Sequence, residues 1–271
     1  MLKVLINNVF CKIIKPYLFI LIKEVNSLKL LIVFQPAKLP KQYNFMFTSI
    51  VKAALELSSP ETIKELYSYG EKANKKAKSF TGSIFLQDYV IKKNEIKVNG
   101  EIRVTISSPD PELILYLYNG IVQKKIFRYQ AYEVQLAYVK VLSEKLPTKR
   151  KVLFKTNSPI AVKNKEGRFL DVNDPSYNTE FNYTANVIVK AVTGRNLLEP
   201  LSFTPVIMKK KVVQLKHHSF AKLNKKSILF VNCYEGSFIL EGAVEDLAIL
   251  TSSGLGVRRS QFFGSIQMIQ E

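Results

Sequence analysis

Glycines and arginines stand close together near the carboxyl end of the chain, in the segment GLGVRRSQFFG (residues 254–264). Glycine lets a backbone turn tightly and approach a bound group closely. Arginine offers phosphate oxygens a positive charge and a fork of N–H donors. The segment therefore predicts a phosphate-binding loop shaped by Gly254 and Gly256 and charged by Arg258 and Arg259. The alternative is that Gly254 ends a helix and Gly256 occupies an ordinary turn.

The two histidines, His217 and His218, form a second candidate site, because the pKa of histidine lies near neutrality and suits it to acid–base chemistry. They lie in residues 209–226, which contain seven lysines and no acid. Adjacent residues of a strand point to opposite faces, which makes the pair a poor metal chelate. His218 shares a face with Lys216 and is the stronger candidate for contact with an anionic partner. The alternative is a solvated basic hairpin in which neither histidine is catalytic. The binding residues assigned to this segment are Lys209, Lys211, Lys216 and His218.

The composition favours a polyanionic partner. Among 271 residues, 40 are Lys or Arg and 22 are Asp or Glu, which gives a net charge of +18. Such a surface attracts nucleic acid or an anionic membrane, while 47% hydrophobic residues are enough for a folded core. Cys11 and Cys233 are too far apart to indicate a zinc knuckle or a disulfide framework, which favours a cytoplasmic protein. Because the acids form no metal-binding motif, we expect neither a metal nor another cofactor.

The first 27 residues are predicted to be an extension of unknown role, either an added packing element or a peripheral tail. Lys12, Lys15 and Lys23 interrupt its apolar runs, which are much shorter than the ~20 residues of a membrane span. It also lacks the small-residue cleavage site of a secretory signal. A basic protein that uses this extension on a membrane surface is the weakest of the functional alternatives.

Apolar periodicity divides the rest into two similar halves. In the first half, Ser59 and Pro60 predict a helix start and Gly70 its end. Asp110 predicts a helix start and Gly120 its end. The predicted elements are a strand at 28–35, helices at 45–57, 60–69 and 110–119, a hairpin of 80–91 and 96–107 joined at Lys93-Asn94, and strand material at 121–141.

The second half repeats this order after a basic, proline-containing junction. The predicted elements are strands at 152–155, 202–208, 211–220, 228–240 and 261–269 and helices at 173–192 and 243–253. The order β-α-β-β-α-β is that of a ferredoxin-like unit. We therefore predict an α+β protein with two tandem ferredoxin-like domains. The predicted divisions are the extension 1–27, domains at 28–143 and 152–271, and a linker at 144–151.

Several segments resemble one family in the same order along the chain. GLGVRRSQFFGSI is similar to the glycine-rich loop of the CRISPR repeat-processing endoribonucleases of the RAMP superfamily, although Phe262 stands where that loop usually has a glycine. The resemblance covers about residues 28–270 and implies two tandem ferredoxin-like domains. The other matching segments are LKLLIVFQPAKLPKQYNF (28–45), SSPETIKELYSYG (58–70), KAKSFTGSIF (76–85), TNSPIAVKN (156–164) and FLDVNDPSYNTEFN (169–182).

The resemblance also implies a reaction and a site. A ribose 2′-hydroxyl would attack the adjacent phosphorus without a metal, leaving a 2′,3′-cyclic phosphate and a 5′-hydroxyl. Tyr67 stands where members with a full catalytic set have histidine, Lys52 matches the family's frequent tyrosine, and Lys78 matches its lysine. These three are the expected catalytic residues of a member that lacks the usual histidine. The remaining expected RNA-binding residues are Tyr69, Lys75, Lys76, Gly254, Gly256, Arg258, Arg259, Ser260 and Gly264.

Free lysine and tyrosine titrate at about 10, so neither is an efficient base near neutrality unless its pKa is lowered. A lysine cluster acts in that direction. Two functions stay open: slow cleavage of CRISPR repeat RNA, or binding of guide RNA by a non-cleaving relative. The partners that the resemblance implies are the precursor transcript, an interference complex and a second copy of the chain, with no membrane.

Overall fold

The structure is a computed structural model that describes residues 27–67, 77–216 and 228–271. Among these residues, no helix is long and apolar enough to cross a membrane. Predictions that fall on the rest of the chain lie outside the described residues. They concern nearly all of the extension 1–27, the helix end at Gly70, and Tyr69, Lys75, Lys76, His217 and His218.

The first half folds into a five-stranded antiparallel sheet with helices packed on one face. Its strand order is β3-β6-β1-β8-β7, in which β1 lies between β6 and β8. A small second sheet has the order β2-β5-β4. The elements are β1 (Leu28–Phe34), β2 (Lys38–Pro40), α1 (Tyr43–Ser58), α2 (Pro60–Tyr67), β3 (Thr81–Leu86), β4 (Tyr89–Ile91), β5 (Glu95–Val98), β6 (Ile102–Ser108), α3 (Pro111–Lys124), β7 (Ile126–Tyr129) and β8 (Tyr132–Ser143).

Helix α3 begins as predicted but ends later. The Asp110 carboxylate accepts hydrogen bonds from the backbone N–H groups of Glu112 and Leu113, at 3.0 and 3.3 Å, which satisfies two donors of the first turn. The predicted end at Gly120 is wrong, because the helix continues to Lys124. Gly120 lies against α1, where a Cβ would stand 2.0 Å from the carbonyl oxygen of Ala54. This glycine permits close helix packing rather than a helix end.

The second half forms a four-stranded antiparallel sheet of order β10-β11-β9-β12. With their helical connections, both sheets have the ferredoxin-like arrangement, so the predicted fold class is confirmed. The elements are β9 (Lys151–Thr156), α4 (Tyr177–Thr193), β10 (Ser202–Lys216), β11 (Ile228–Glu241), α5 (Val244–Ser253), a 3-10 turn (Arg259–Gln261) and β12 (Ile266–Gln270).

One long strand replaces the strand pair predicted at 202–208 and 211–220. Strand β10 runs from Ser202 through Lys216 and pairs with β11 along this length, with one irregularity between Pro205 and Ile207. Lys209 and Lys210 occupy the predicted break between the two strands. On an edge strand, however, lysine side chains extend into solvent while the backbone stays paired, so the break is not needed.

The segment after α5 joins the two halves through the side chain of Phe262. Phe262 has left-handed backbone geometry (φ 65°) and is only 4% exposed, within the core of the first half. Its ring meets Phe47 edge-on with centroids 6.1 Å apart. A Cβ on Gly82 would lie 2.9 Å from the same ring. One aromatic side chain of the second domain therefore completes the core of the first.

Candidate functional site

The structure brings together the three residues that were expected to be catalytic. Lys52 lies on α1, Tyr67 is the last residue of α2, and Lys78 precedes β3. The ammonium groups of Lys52 and Lys78 each lie 4.6 Å from the centroid of the Tyr67 ring. A cation above an aromatic ring is stabilised by about 0.5–1 kcal/mol at exposed sites and by more when water is excluded. The tyrosine therefore holds two like charges near one ring.

Lys78 is the cation of this cluster whose proton affinity is reduced. Burial lowers its pKa, and the positive charges of Lys52 and Arg259 lower it further. Each cause disfavours the ammonium form relative to the neutral amine. Neutral Lys78 is consequently more populated near neutral pH than it would be for an isolated lysine, which makes Lys78 a better proton acceptor than an isolated lysine.

Arg259 reaches this cluster from the other domain. Its side chain is buried in the 3-10 turn, and its Nη1 donates to the carbonyl oxygen of Ser253 at the end of α5. Burial lowers the pKa of the guanidinium to about 9, which leaves it charged at neutral pH. Arg259 therefore supplies a fixed positive charge whose position depends on the packing of both domains.

A cavity of about 240 Å³ opens between Lys78 and the loop of the second domain. Helix α4 forms its other wall with Thr184, Val187 and Ile188. Among the described residues, the charged groups of its lining are all basic, so the cavity favours an anionic ligand. The remaining residues of its lining are Ala77, Lys78, Gly256, Val257, Arg258, Arg259 and Ser260.

The glycines of the loop lie close to protein backbone. Gly254, Gly256 and Gly264 have φ values of 78°, 71° and 73°, which side chains rarely adopt. A Cβ on Gly256 would stand 2.3 Å from the carbonyl oxygen of Ala161, and one on Gly264 would stand 1.9 Å from that of Leu255. Both glycines are thus needed for packing whatever else the loop binds. Of the three, Gly256 also borders the cavity, and contact of the loop with phosphate stays a prediction.

The basic residues predicted on β10 lie away from this cavity lining. Lys211 donates from Nζ to the carboxylate of Glu235 at 2.7 Å. Lys209 lines a different cavity of about 250 Å³ together with Lys155 and Asn157. Lys216 ends the described part of the strand. An RNA contact by these lysines stays a prediction.

Sequence reasoning did not select Lys163, although the structure places it near Arg258. Burial lowers the pKa of the Lys163 side chain, and the positive charge of Arg258 lowers it further. The Nζ atom lies 4.6 Å from the ring centroid of Phe169. Nothing local in the sequence distinguishes Lys163 from other surface lysines, because this arrangement depends on a contact between distant segments.

Comparison with known protein families and solved structures shows which proteins this chain resembles. Residues 142–268 match the family model described as CRISPR associated protein Cas6, C-terminal. A solved structure of a Cas6-related gene product from Pyrococcus furiosus is 20% identical, with a TM-score of 0.72, covering 90% of this chain and 99% of that chain. No curated protein sequence matches the chain.

Two further structures have the same fold. An RAMP protein described as binding different RNA substrates is 16% identical, with a TM-score of 0.74, covering 90% of this chain and all (100%) of its own. A CRISPR associated protein Cas6 is 19% identical, with a TM-score of 0.68 and the same coverage. At these identities the likeness establishes the fold alone. Residues 142–268 therefore resemble a Cas6 C-terminal domain, within a chain that is folded like Cas6 and RAMP proteins.

Proposed function

We propose that the chain binds the repeat RNA of CRISPR precursor transcripts and cleaves it at the cluster of Lys52, Tyr67, Lys78 and Arg259. The observation that carries the proposal is the convergence of cationic side chains from two domains, of which Lys78 and Arg259 line one cavity. The Cas6 C-terminal match supports the choice of RNA. A phosphodiester that develops extra negative charge during cleavage is the kind of group that such a site stabilises.

The proposed reaction is a transesterification within the RNA. The bond from the ribose O2′ to phosphorus forms while the bond from phosphorus to the O5′ leaving group breaks. Neutral Lys78 accepts the proton of the 2′-hydroxyl, and the Lys52 ammonium donates a proton to O5′. The products are a 2′,3′-cyclic phosphate and a 5′-hydroxyl, and no water or metal enters the balance.

Arg259 and Tyr67 have supporting roles in this proposal. The buried charge of Arg259 stabilises the developing phosphorane and keeps the pKa of Lys78 low. The Tyr67 ring keeps the two ammonium groups at fixed positions despite their mutual repulsion. Aligning the hydroxyl with the scissile bond contributes to the rate even where the acid and base are modest.

Single-turnover cleavage of repeat RNA in EDTA tests the proposal. The repeat of the CRISPR array in the same genome is the substrate, and the same RNA with a 2′-deoxy nucleotide at the scission site is the control. We expect cleavage of the first RNA only, with a cyclic phosphate end. Lys52→Ala should lower the cleavage rate by at least about 100-fold while changing RNA affinity much less. Cleavage of the deoxy substrate would show that the 2′-hydroxyl mechanism is wrong.

The second candidate function is a non-cleaving RNA-binding subunit. It is favoured by Tyr67, which stands where the resemblance expects histidine. The tyrosine ring beside the two lysines binds no proton near neutral pH, as a catalytic histidine would. The same assay separates the functions. Tight binding of the repeat with no product at high protein excess would establish the binding subunit.

A further inference from the structure

Two walls of different chemistry border the cavity beside Lys78. One wall is cationic, with Lys78 of the first domain and Arg259 of the second. The other is formed by helix α4, whose Val187 and Ile188 contribute apolar side chains to the lining. Water solvates charged groups well and apolar groups poorly. A ligand that matches both walls therefore carries an anionic group and an apolar group side by side.

Helix α4 leaves apolar side chains exposed at this cavity. Val187 is 37% exposed and Tyr183 is 62% exposed. The two residues are separated by one helical turn, so their side chains lie on the same face of the helix. Thr184, which follows Tyr183, lines the cavity together with Val187. An exposed surface of one aromatic and one aliphatic side chain thus extends from the cavity along the helix.

The other side of α4 is held firmly by the second domain. The Phe181 ring packs against Phe203 of β10 with centroids 5.0 Å apart. The side chain of Asn182 donates to the carbonyl oxygen of Leu201 at 2.8 Å and accepts from its backbone N–H at 2.7 Å. A helix fixed in this way presents its exposed side chains at set positions, which lowers the entropy lost when a ligand binds.

A nucleotide has both of the groups that the two walls match. Its phosphate is anionic and suits the cationic wall. Its base is a flat ring whose faces stack on aromatic side chains, whatever the sequence, and bury apolar surface such as that of Val187. Only an unpaired, unstacked base can offer a free face. The chemistry of the surface therefore favours an unpaired nucleotide of a single strand.

We infer that α4 binds an unpaired base of the RNA, which contacts Val187 and stacks on Tyr183, at a nucleotide flanking the phosphate proposed to face Lys78 and Arg259. This inference rests on the proposed function and deepens it, because it adds a base contact to a site described so far by its charges. Tyr183 and Val187 are then positioning residues, which hold the neighbouring phosphodiester in place relative to Lys78.

The first test removes the apolar surface without removing charge. In fluorescence anisotropy titrations with the repeat RNA, Tyr183→Ala should weaken binding about tenfold, as for the loss of one stacked base. Val187→Ala should weaken it about threefold, through the smaller apolar contact. Tyr183→Phe keeps the ring and should bind like the wild type. The log–log salt slope should be unchanged in all three variants, because no phosphate contact is lost.

The control variant is Val192→Ala, since Val192 lies on the same helix but outside the described lining of the cavity. It should bind RNA like the wild type. Alanine is the most favourable residue in a helix, so none of the alanine variants should lower the urea midpoint of unfolding. Equal binding by Tyr183→Ala and the wild type would overturn the inference.

The second test identifies the base. Repeat RNAs are made uncleavable by a 2′-deoxy nucleotide at the scission site, and an abasic nucleotide is placed on either side of the scissile phosphate in turn. One of the two should bind the wild type about tenfold more weakly than the intact RNA, and the same change should have no further effect on Tyr183→Ala.

Additive losses in Tyr183→Ala, or wild-type binding that neither abasic position weakens, would also overturn the inference. Failure of the wild type to bind any repeat RNA would instead overturn the proposed function.

Discussion

At the scale of single residues, Lys78 determines how cleavage should depend on pH. Burial and the charges of Lys52 and Arg259 lower its pKa, and the proposed acceptor must be neutral. Below that lowered pKa the cleavage rate should rise about tenfold for each pH unit and then level off. Single-turnover rates between about pH 6 and about pH 9, corrected for cleavage without protein, measure this profile.

Lys78→Arg is the matched variant for the pH experiment. It keeps the positive charge for phosphate binding but offers no neutral amine in this range. Its RNA affinity should stay close to that of the wild type, whereas its cleavage should be slower and should lack the rise with pH. A wild-type rate that is flat over the whole range would show that Lys78 is not the proton acceptor.

Tyr67 is predicted to act through its ring rather than its hydroxyl. Tyr67→Phe keeps both cation–ring contacts and should cleave within about threefold of the wild-type rate. Tyr67→Leu keeps a similar apolar bulk but removes the ring, and its rate should fall about tenfold, since each contact contributes about 0.5–1 kcal/mol. Equal losses in both variants, measured as single-turnover rates, would assign a role to the hydroxyl.

The residues of the site were partly predictable. Lys52, Tyr67 and Lys78 were selected through the resemblance of their segments to one family. The structure places the ammonium groups of the two lysines beside the Tyr67 ring. Lys163 was missed because its burial and the nearby charge of Arg258 depend on contacts between segments that are far apart in sequence. The catalytic and binding roles of all these residues stay predictions until they are measured.

At the scale of elements, the segment between α5 and β12 does more than present arginines. Asn44 Nδ2 donates to the carbonyl oxygen of Gln261 at 2.9 Å, and Thr81 Oγ1 donates to that of Phe263 at 3.0 Å. Gly82 and Gly264 form a parallel bridge. Two elements of the first domain, α1 and β3, therefore contact the backbone of this segment and fix the turn that carries Arg259.

Phe262→Ala should destabilise the protein strongly. The ring is 4% exposed in a core that it shares with Phe47, and truncating a buried phenylalanine typically costs about 3 kcal/mol or more. Phe230→Ala is the control, because Phe230 is 53% exposed on β11 and its truncation should change the free energy of unfolding by less than about 0.5 kcal/mol. Urea denaturation measures both. Equal midpoints for the two variants would contradict the role of Phe262 in the shared core.

The elements also show where sequence patterns were insufficient. The Asp110 helix start depends on local hydrogen bonds and was correctly predicted. Gly120 was wrongly predicted to end the helix. It is a glycine because it packs against the backbone of Ala54, and such a tertiary contact leaves no local sequence pattern. Phe262, which stands where the resembling loop usually has a glycine, has a left-handed φ of 65°, but its place in the other domain's core had no local signal.

At the scale of the whole molecule, the net charge of +18 first indicated only a polyanion. The structure places part of that charge around one cavity, where Lys78 of one segment meets Arg258 and Arg259 of another. Binding of single-stranded repeat RNA should therefore weaken steeply with salt, with a log–log slope of about −0.7 for each phosphate neutralised.

Anisotropy titrations over a range of potassium chloride concentrations measure this slope. Lys78→Met should make it shallower by about one phosphate, whereas Lys151→Met should not, because Lys151 is exposed and pairs with Glu241. A flat salt response of the wild type would contradict the electrostatic account of binding.

The shared phenylalanine has a further consequence for how substrate reaches the cluster. A swinging motion that parted the two domains would pull Phe262 out of the first domain's core and expose its ring to water, at a cost of about 2–3 kcal/mol. Opening the two domains in this way therefore costs free energy before any RNA is bound. We expect the two domains to keep their relative position during binding, so that the RNA strand is the partner that bends. Repeats with a pliable, unpaired cleavage region should be the preferred substrates.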